Sequence, residues 1–156
     1  MKKILICGSG GFIGKNVLEA FSRDKKYQVF GSHTELYDLT NPYEVFGLIS
    51  YVKPDVVIQA AATTSGSKDI TERPYYHVTD NAIMNSLLLR EVHRQEVPHF
   101  IFFSCTVMYP QNLDRPVKEE DFDYKIYDKY FGVGWTKVYI EKMCEFYSRI
   151  GKTKFT

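Results

Sequence analysis

Apolar residues along this 156-residue chain fall into alternating blocks of two kinds. Short compact runs at residues 4–7, 27–30, 56–58 and 100–103, each bounded by glycine or polar residues, predict strands buried in a parallel sheet. Between them apolar positions recur at three- and four-residue intervals, as Ile13, Val17, Leu18 and Phe21 do, which predicts an amphipathic helix. The same spacing predicts helices over residues 42–51, 74–94 and 138–150. Asn41 followed by Pro42 is a start signal for the first of these, an N-cap side chain and then a ring that needs no N–H. A strand that returns parallel must cross over the sheet with one hand, so the repeated strand-helix units predict a doubly wound α/β domain with helices on both faces.

No internal repeat, low-complexity tract or linker interrupts this pattern, which predicts one domain over residues 1–156. The last residues, GKTKFT, begin what would be a further strand, central or next to central in the sheet. The chain is therefore expected to be an excerpt of a longer protein, with a second, substrate-binding domain outside it.

Charge and composition narrow the classes of function. Twenty Lys and Arg against 19 Asp and Glu leave the chain near neutral, so bulk charge predicts neither nucleic acid nor an acidic membrane surface as partner. Cys7, Cys105 and Cys144 are odd in number, widely spaced and outside any CxxC pattern, which fits a reducing cytoplasm and no structural metal. The opening MKKILICGSG has too short an apolar stretch for a signal peptide or a membrane span.

The first strand runs into ICGSGGFIGKN, with glycines at the strand-helix junction. Gly8 permits a tight turn, Gly11 lets backbone approach a pyrophosphate, and Gly14 lets helix and strand pack closely, with Gly10, Phe12 and Ile13 completing the loop. Phosphates would sit on the free N–H groups of the helix N-terminus. After the second strand stand Gly31, Ser32 and His33, with no carboxylate before Glu35 to repel a ribose 2′-phosphate. The expected cofactor is NADP or NAD, with NADP favoured by Ser32 and His33.

These pieces, together with YDLT at 37–40, PDVVIQAAA at 54–62, Asn81 and FFSCTVMYP at 102–110, resemble the extended short-chain dehydrogenase/reductase family of NAD-dependent epimerases and dehydratases. Within it the chain is most similar to the GDP-L-fucose synthase branch, epimerase-reductases of GDP-4-keto-6-deoxy sugars. The resemblance implies a Rossmann-type domain in which Asp38 accepts a hydrogen bond from the adenine amino group and Leu39 packs beside the ring. Ala60, Ala61 and Ala62 would leave room for the cofactor, Asn81 would stand near the active site, and residues 63–68 would form a loop near the sugar. Each has a plainer alternative: Asp38 as a turn residue, Asn81 as a solvated helix position, 63–68 as a flexible connection. The family also implies a homodimer through the helices near 75–94 and 135–150, where Tyr139, Met143, Phe146 and Tyr147 look exposed.

The chemistry implied by the resemblance needs a hydroxyl that holds the substrate oxygen, a tyrosine that moves its proton, and a lysine one turn later. Lys137 in GVGWTK fits the lysine, yet the position four before it is Val133. The hydroxyl position, four before Tyr109, is Cys105, flanked by Ser104 and Thr106, and the second acid of the fucose synthases falls on Val107. Tyr130 is a candidate stand-in if Gly132 and Gly134 break the helix and let the chain fold back toward Lys137. Three readings stand: the NAD(P)-binding portion of a nucleotide-sugar epimerase or reductase that transfers hydride at sugar C4, a catalytically impaired NAD(P)-binding or dimerisation module, and, below these, an NAD(P)-binding transcriptional or redox sensor, whose nucleic-acid part no basic stretch supports. The isolated chain is expected to bind NADP(H) or NAD(H) without turning over sugar nucleotide.

Overall fold

A computed structural model describes residues 1–64, 66–110 and 114–156. Strands β1 (Lys2–Cys7), β2 (Tyr27–Ser32), β3 (Val56–Gln59), β4 (His99–Phe102) and β5 (Lys154–Phe155) form a parallel sheet in the order β2-β1-β3-β4-β5. Helices α1 (Phe12–Ser22), α2 (Pro42–Val52), α3 (Ser67–Glu72), α4 (Pro74–Arg94) and α5 (Phe131–Ile150) connect them. The doubly wound architecture is the one the apolar blocks predict.

Period-two alternation along the strands decides which helix covers which face. Ile4, Ile6 and Ile58 turn to one side and meet Val17, Leu18 and Phe21 of α1. Leu5, Cys7, Val57 and Phe100 turn to the other and meet Val45, Leu48 and Ile49 of α2, Leu88, Leu89 and Val92 of α4, and Ile140 of α5. Ile13 stays half exposed on the first turn of α1, above the sheet edge, and takes no part in this packing.

Several boundaries move outward from the sequence pattern. β2 and β3 run on to Ser32 and Gln59, polar residues buried because pairing with β1 continues to their ends. Asn41 does cap α2, its side chain accepting the N–H of Tyr43 at 3.0 Å. α2 ends at Lys53, in left-handed backbone at φ 49°, and Glu96 beyond α4 is similar at φ 51°. β5 pairs with β4 and, within these residues, stands at the end of the strand order rather than inside it.

The largest correction concerns α5. It begins at Phe131 and passes through Gly132 and Gly134, where a break was expected. A Cβ on Gly132 would lie 2.6 Å from a methyl of Val78 in α4, and one on Gly134 would lie 2.6 Å from a methyl of Ile126. Close packing selects these glycines, so they lower helix propensity without ending the helix. The fold-back of Tyr130 toward Lys137 therefore does not occur. Met143 and Tyr147 likewise pack against the main core, whereas Tyr139 and Phe146 are exposed.

Candidate functional site

At the carboxyl end of the sheet the chain makes a pocket of about 270 Å³ between the glycine loop, the end of β2 and the segment after β3. It is lined by Gly8, Gly10 and Gly11, by Ser32, His33, Asp38 and Leu39, and by Ala60, Ala61 and Ala62. Thr34, Tyr37 and Met84 complete it, Tyr37 as the first residue of the YDLT stretch and the other two without a signal in the sequence. Phe12, Ile13 and Gly14 lie outside this lining, in the first turn of α1.

Backbone geometry builds the cradle. Gly8 has φ 77°, and a Cβ there would lie 2.5 Å from Cα of Ala61, so only glycine lets the loop cross the end of β3. A Cβ on Gly14 would overlap the carbonyl of Gly8. The loop is tied down by Gly8 and Ser9 N–H groups, which both donate to the Ser32 carbonyl at 2.9 Å. Gly11 is the extended N-cap of α1, and no side chain caps it. The N–H groups of the first turn thus lack a side-chain partner, which is the arrangement that binds a phosphate.

The pocket wall is polar in the right places for a ribose and adenine. The Ser32 hydroxyl is fully buried without a hydrogen-bond partner at normal geometry, its polar neighbour being the Cys7 thiol. Burial pushes that thiol up to about 12. Asp38 Oδ1 accepts the N–H of Thr40 at 2.9 Å and its hydroxyl at 2.6 Å, and these bonds hold the carboxyl below its ordinary value. Asp38 is thus a turn residue and a pocket residue at once. His33 lies 3.9 Å from Glu35 at the rim. The glycine cradle and the open helix terminus together fit a dinucleotide.

Asn81 is buried rather than solvated. Its side chain accepts the N–H of Thr63 at 2.9 Å and donates to the carbonyls of Thr63 at 3.1 Å and His77 at 2.7 Å, tying the segment after β3 to α4. Of the loop at 63–68, Ser65 lies outside the described residues, and α3 starts at Ser67, so the segment is shorter than the sequence suggests.

Lys137 sits one turn inside the buried stretch of α5 and reaches the end of β4. Its Nζ donates to the Phe103 carbonyl at 2.7 Å and lies 4.5 Å from the centroid of the Phe102 ring. Burial holds the amine below its ordinary value, opposed by the nearby Cys105 and Glu141. Cys105 is half-buried; burial raises its thiol, while the Lys137 charge and the Val107 and Met108 amides pull the other way. Thr106 begins a short 3-10 turn, Thr106–Met108, and with Val107, Tyr109 and Lys118 lines a second cavity of about 310 Å³. Glu141, within electrostatic reach of Lys137, Cys105 and Tyr109, is the carboxylate that sequence reading missed; it stands one turn beyond Lys137 on α5. Tyr130 is the N-cap of α5 and packs on Tyr127 at 6.0 Å between ring centroids. Seven residues of helix, about 10 Å of rise, part it from Lys137.

Fold and cradle define a dinucleotide-binding α/β domain with a lysine at the end of its fourth strand. Residues 4–156 match the NAD dependent epimerase/dehydratase family, and the chain belongs to it. It is 28% identical over 152 residues to a GDP-L-fucose synthase of Azorhizobium caulinodans, covering 96% of this chain and 48% of that protein. It is 25% identical over 148 residues to a GDP-L-colitose synthase of Yersinia pseudotuberculosis, covering 94% and 48%. The chain thus spans about half the length of these curated relatives. Among solved structures, the GDP-mannoheptose C4 reductase MlghC from Campylobacter jejuni, with NADP bound, superposes with a TM-score of 0.88 at 24% identity. The alignment covers 99% of this chain and 49% of that one, and at this identity it supports the fold alone. Among the described residues, no helix is long and apolar enough to cross a membrane, and no group of acidic, His and Cys side chains could hold a metal.

Proposed function

We propose that residues 1–156 are the NAD(P)-binding portion of a cytoplasmic nucleotide-sugar epimerase or reductase that acts on a GDP-sugar by hydride transfer at C4. The observation that carries this reading is the backbone-built cradle at Gly8, Gly11 and Gly14 on the same carboxyl edge of the sheet as a lysine at the end of β4. Gly10, Phe12 and Ile13 present the loop and helix N–H groups to the pyrophosphate. Ser32 and His33 meet the adenosine ribose, and the lack of a carboxylate there favours NADP over NAD. Asp38 and Leu39 take the adenine, Ala60 to Ala62 form the floor, and Asn81 fixes the segment that leads to the sugar. The nicotinamide supplies or accepts the hydride when bound.

Lys137 holds the nicotinamide ribose and places a positive charge beside the reacting oxygen, which stabilises an alkoxide in a half-buried site. Cys105 takes the place of the hydroxyl that holds the sugar oxygen, as a weaker donor, with Thr106 beside it. Val133 cannot give a proton, and Tyr130 stands two turns away. This deficit favours a second reading, a chain that binds dinucleotide and dimerises but turns over slowly or not at all. The dimer would form through the exposed Tyr75 and Ile83 of α4 with Tyr139 and Phe146 of α5.

Calorimetry of the chain with NADP(H) and NAD(H) tests the first reading: binding of one of them is expected, and binding of neither removes it. Reduction of a GDP-4-keto-6-deoxy sugar by the full-length protein separates the enzyme from the impaired module. Sedimentation of the chain with and without Tyr139→Glu tests the dimer, which the substitution should break.

A further inference from the structure

Behind the floor of the dinucleotide pocket, the main core holds a row of amide side chains. Gln59, at the end of β3, is 1% exposed and Asn85, on α4, 2% exposed. Leaving such a group unpaired in a core is destabilising, whereas a leucine of similar size carries no such liability. Their bonds show what the amides do that leucines would not.

The Gln59 side chain folds over the next two residues of its own chain. Its Oε1 accepts the Ala61 N–H at 3.2 Å, and its Nε2 donates to the Ala61 carbonyl at 3.3 Å. The same Nε2 donates to Asn85 Oδ1 at 3.0 Å and lies 3.4 Å from Met84 Sδ, so α4 fixes the rotamer that grips Ala61. Asn85 in turn donates to the Asn81 carbonyl at 2.7 Å. Positions 81 and 85 share a face of α4, one turn apart. Ala61 is the residue against which Gly8 turns, with only 2.5 Å between its Cα and the place a Gly8 Cβ would take.

We propose that Gln59 and Asn85 are positioning residues for the dinucleotide site, an amide pair that transmits the place of α4 to Ala61 and through it to the glycine turn. The pair touches no ligand, since neither residue lines the pocket. It holds both backbone groups of Ala61, and Ala61 sets how near the loop and the pocket floor approach each other. The inference rests on the reading that the pocket binds NADP or NAD.

The test compares Gln59→Leu, Asn85→Leu and the double variant in this chain. Each single variant leaves one buried N–H or C=O of the partner amide without its bond and should melt several degrees lower. The double variant strands neither of the pair and should recover most of that loss, yet bind NADP(H) about ten-fold more weakly by calorimetry, the worth of roughly one lost hydrogen bond. Its Ala61 amide should also lose protection from hydrogen exchange without ligand. A double variant that melts near wild type and binds as wild type overturns the proposal. Should the wild-type chain bind neither dinucleotide, the functional reading falls by itself. Exchange at Ala61 and Gly8 then decides the positioning role: faster exchange in the double variant upholds it, unchanged protection overturns it. If the double variant fails to fold, Gln59→Met combined with Asn85→Met, which keeps length, drops both Ala61 bonds and leaves no half-paired amide, carries the same comparison.

Discussion

At the carboxyl ends of β1 and β2, the candidate dinucleotide pocket is built mostly of main chain: a left-handed glycine, an open helix start and carbonyl-bound loop amides. At the carboxyl end of β4 and on the facing turn of α5, the proposed chemistry hangs on side chains, and the family resemblance puts Val133, Cys105 and Val107 at the positions of a phenol, a hydroxyl and an acid. Both ends belong to one sheet and share one core, so the difference is not one of folding quality. A site made of backbone depends on side chains only through the contacts that hold that backbone in place, while a site made of side chains changes character with each replacement.

The sharpest way to break that contrast is to put a side chain into the backbone-built half. Gly8→Val forces a branched residue to φ 77° and a Cβ onto Ala61, and dinucleotide affinity should fall by more than about 100-fold, from overpacking and left-handed strain of a few kcal/mol. Calorimetry, with circular dichroism to follow folding, measures it. In the other half, Val133→Tyr restores a phenol one turn before Lys137. In the full-length protein it should raise reduction of a keto sugar on the order of 100-fold, the usual worth of a placed general acid. Unchanged turnover would place the deficit elsewhere.

Lys137→Met should weaken dinucleotide binding several-fold while raising the melting temperature at neutral pH. The sign follows from linkage: the folded amine is below its ordinary value of 10.5, so the buried charge costs stability at neutral pH. That cost shrinks as pH rises from the lowered value toward 10.5, where the unfolded chain binds more protons. The gain from Lys137→Met should accordingly fade between those limits in a series of melts. The smallest effect separates the two thiols. At pH 8 iodoacetamide should leave Cys7, pushed up to about 12 under the glycine loop, unmodified in the time that labels Cys105 beside Lys137. Mass spectrometry of the peptides reads the order.

Much of the fold was legible because apolar blocks report burial directly. α4 runs over 74–94 as its spacing predicts, and the glycine loop sits at the junction its position implies. What was missed depends on contacts between distant residues. Gly132 and Gly134 read as helix breakers until Val78 and Ile126 are seen filling the space beside them. Gln59 and Asn85 carry no local sign of burial, because a polar residue in a strand or helix says nothing about what faces it. Asn81, open between a solvated and a functional reading, was decided only by its bonds to Thr63. Met84 reaches the pocket from α4, an element whose pattern speaks only of the core.

The left-handed ends of α2 and α4 lead to a practical consequence. Lys53 and Glu96 precede β3 and β4, so they lie at the amino edge of a parallel sheet, opposite the pocket. Each pays a steric toll that glycine would not, partly offset by glycine's freedom in the unfolded chain. Lys53→Gly and Glu96→Gly should each add about 0.5–1 kcal/mol. That makes the amino edge a place to engineer a hardier scaffold, one that tolerates the costly active-site redesigns at the opposite edge.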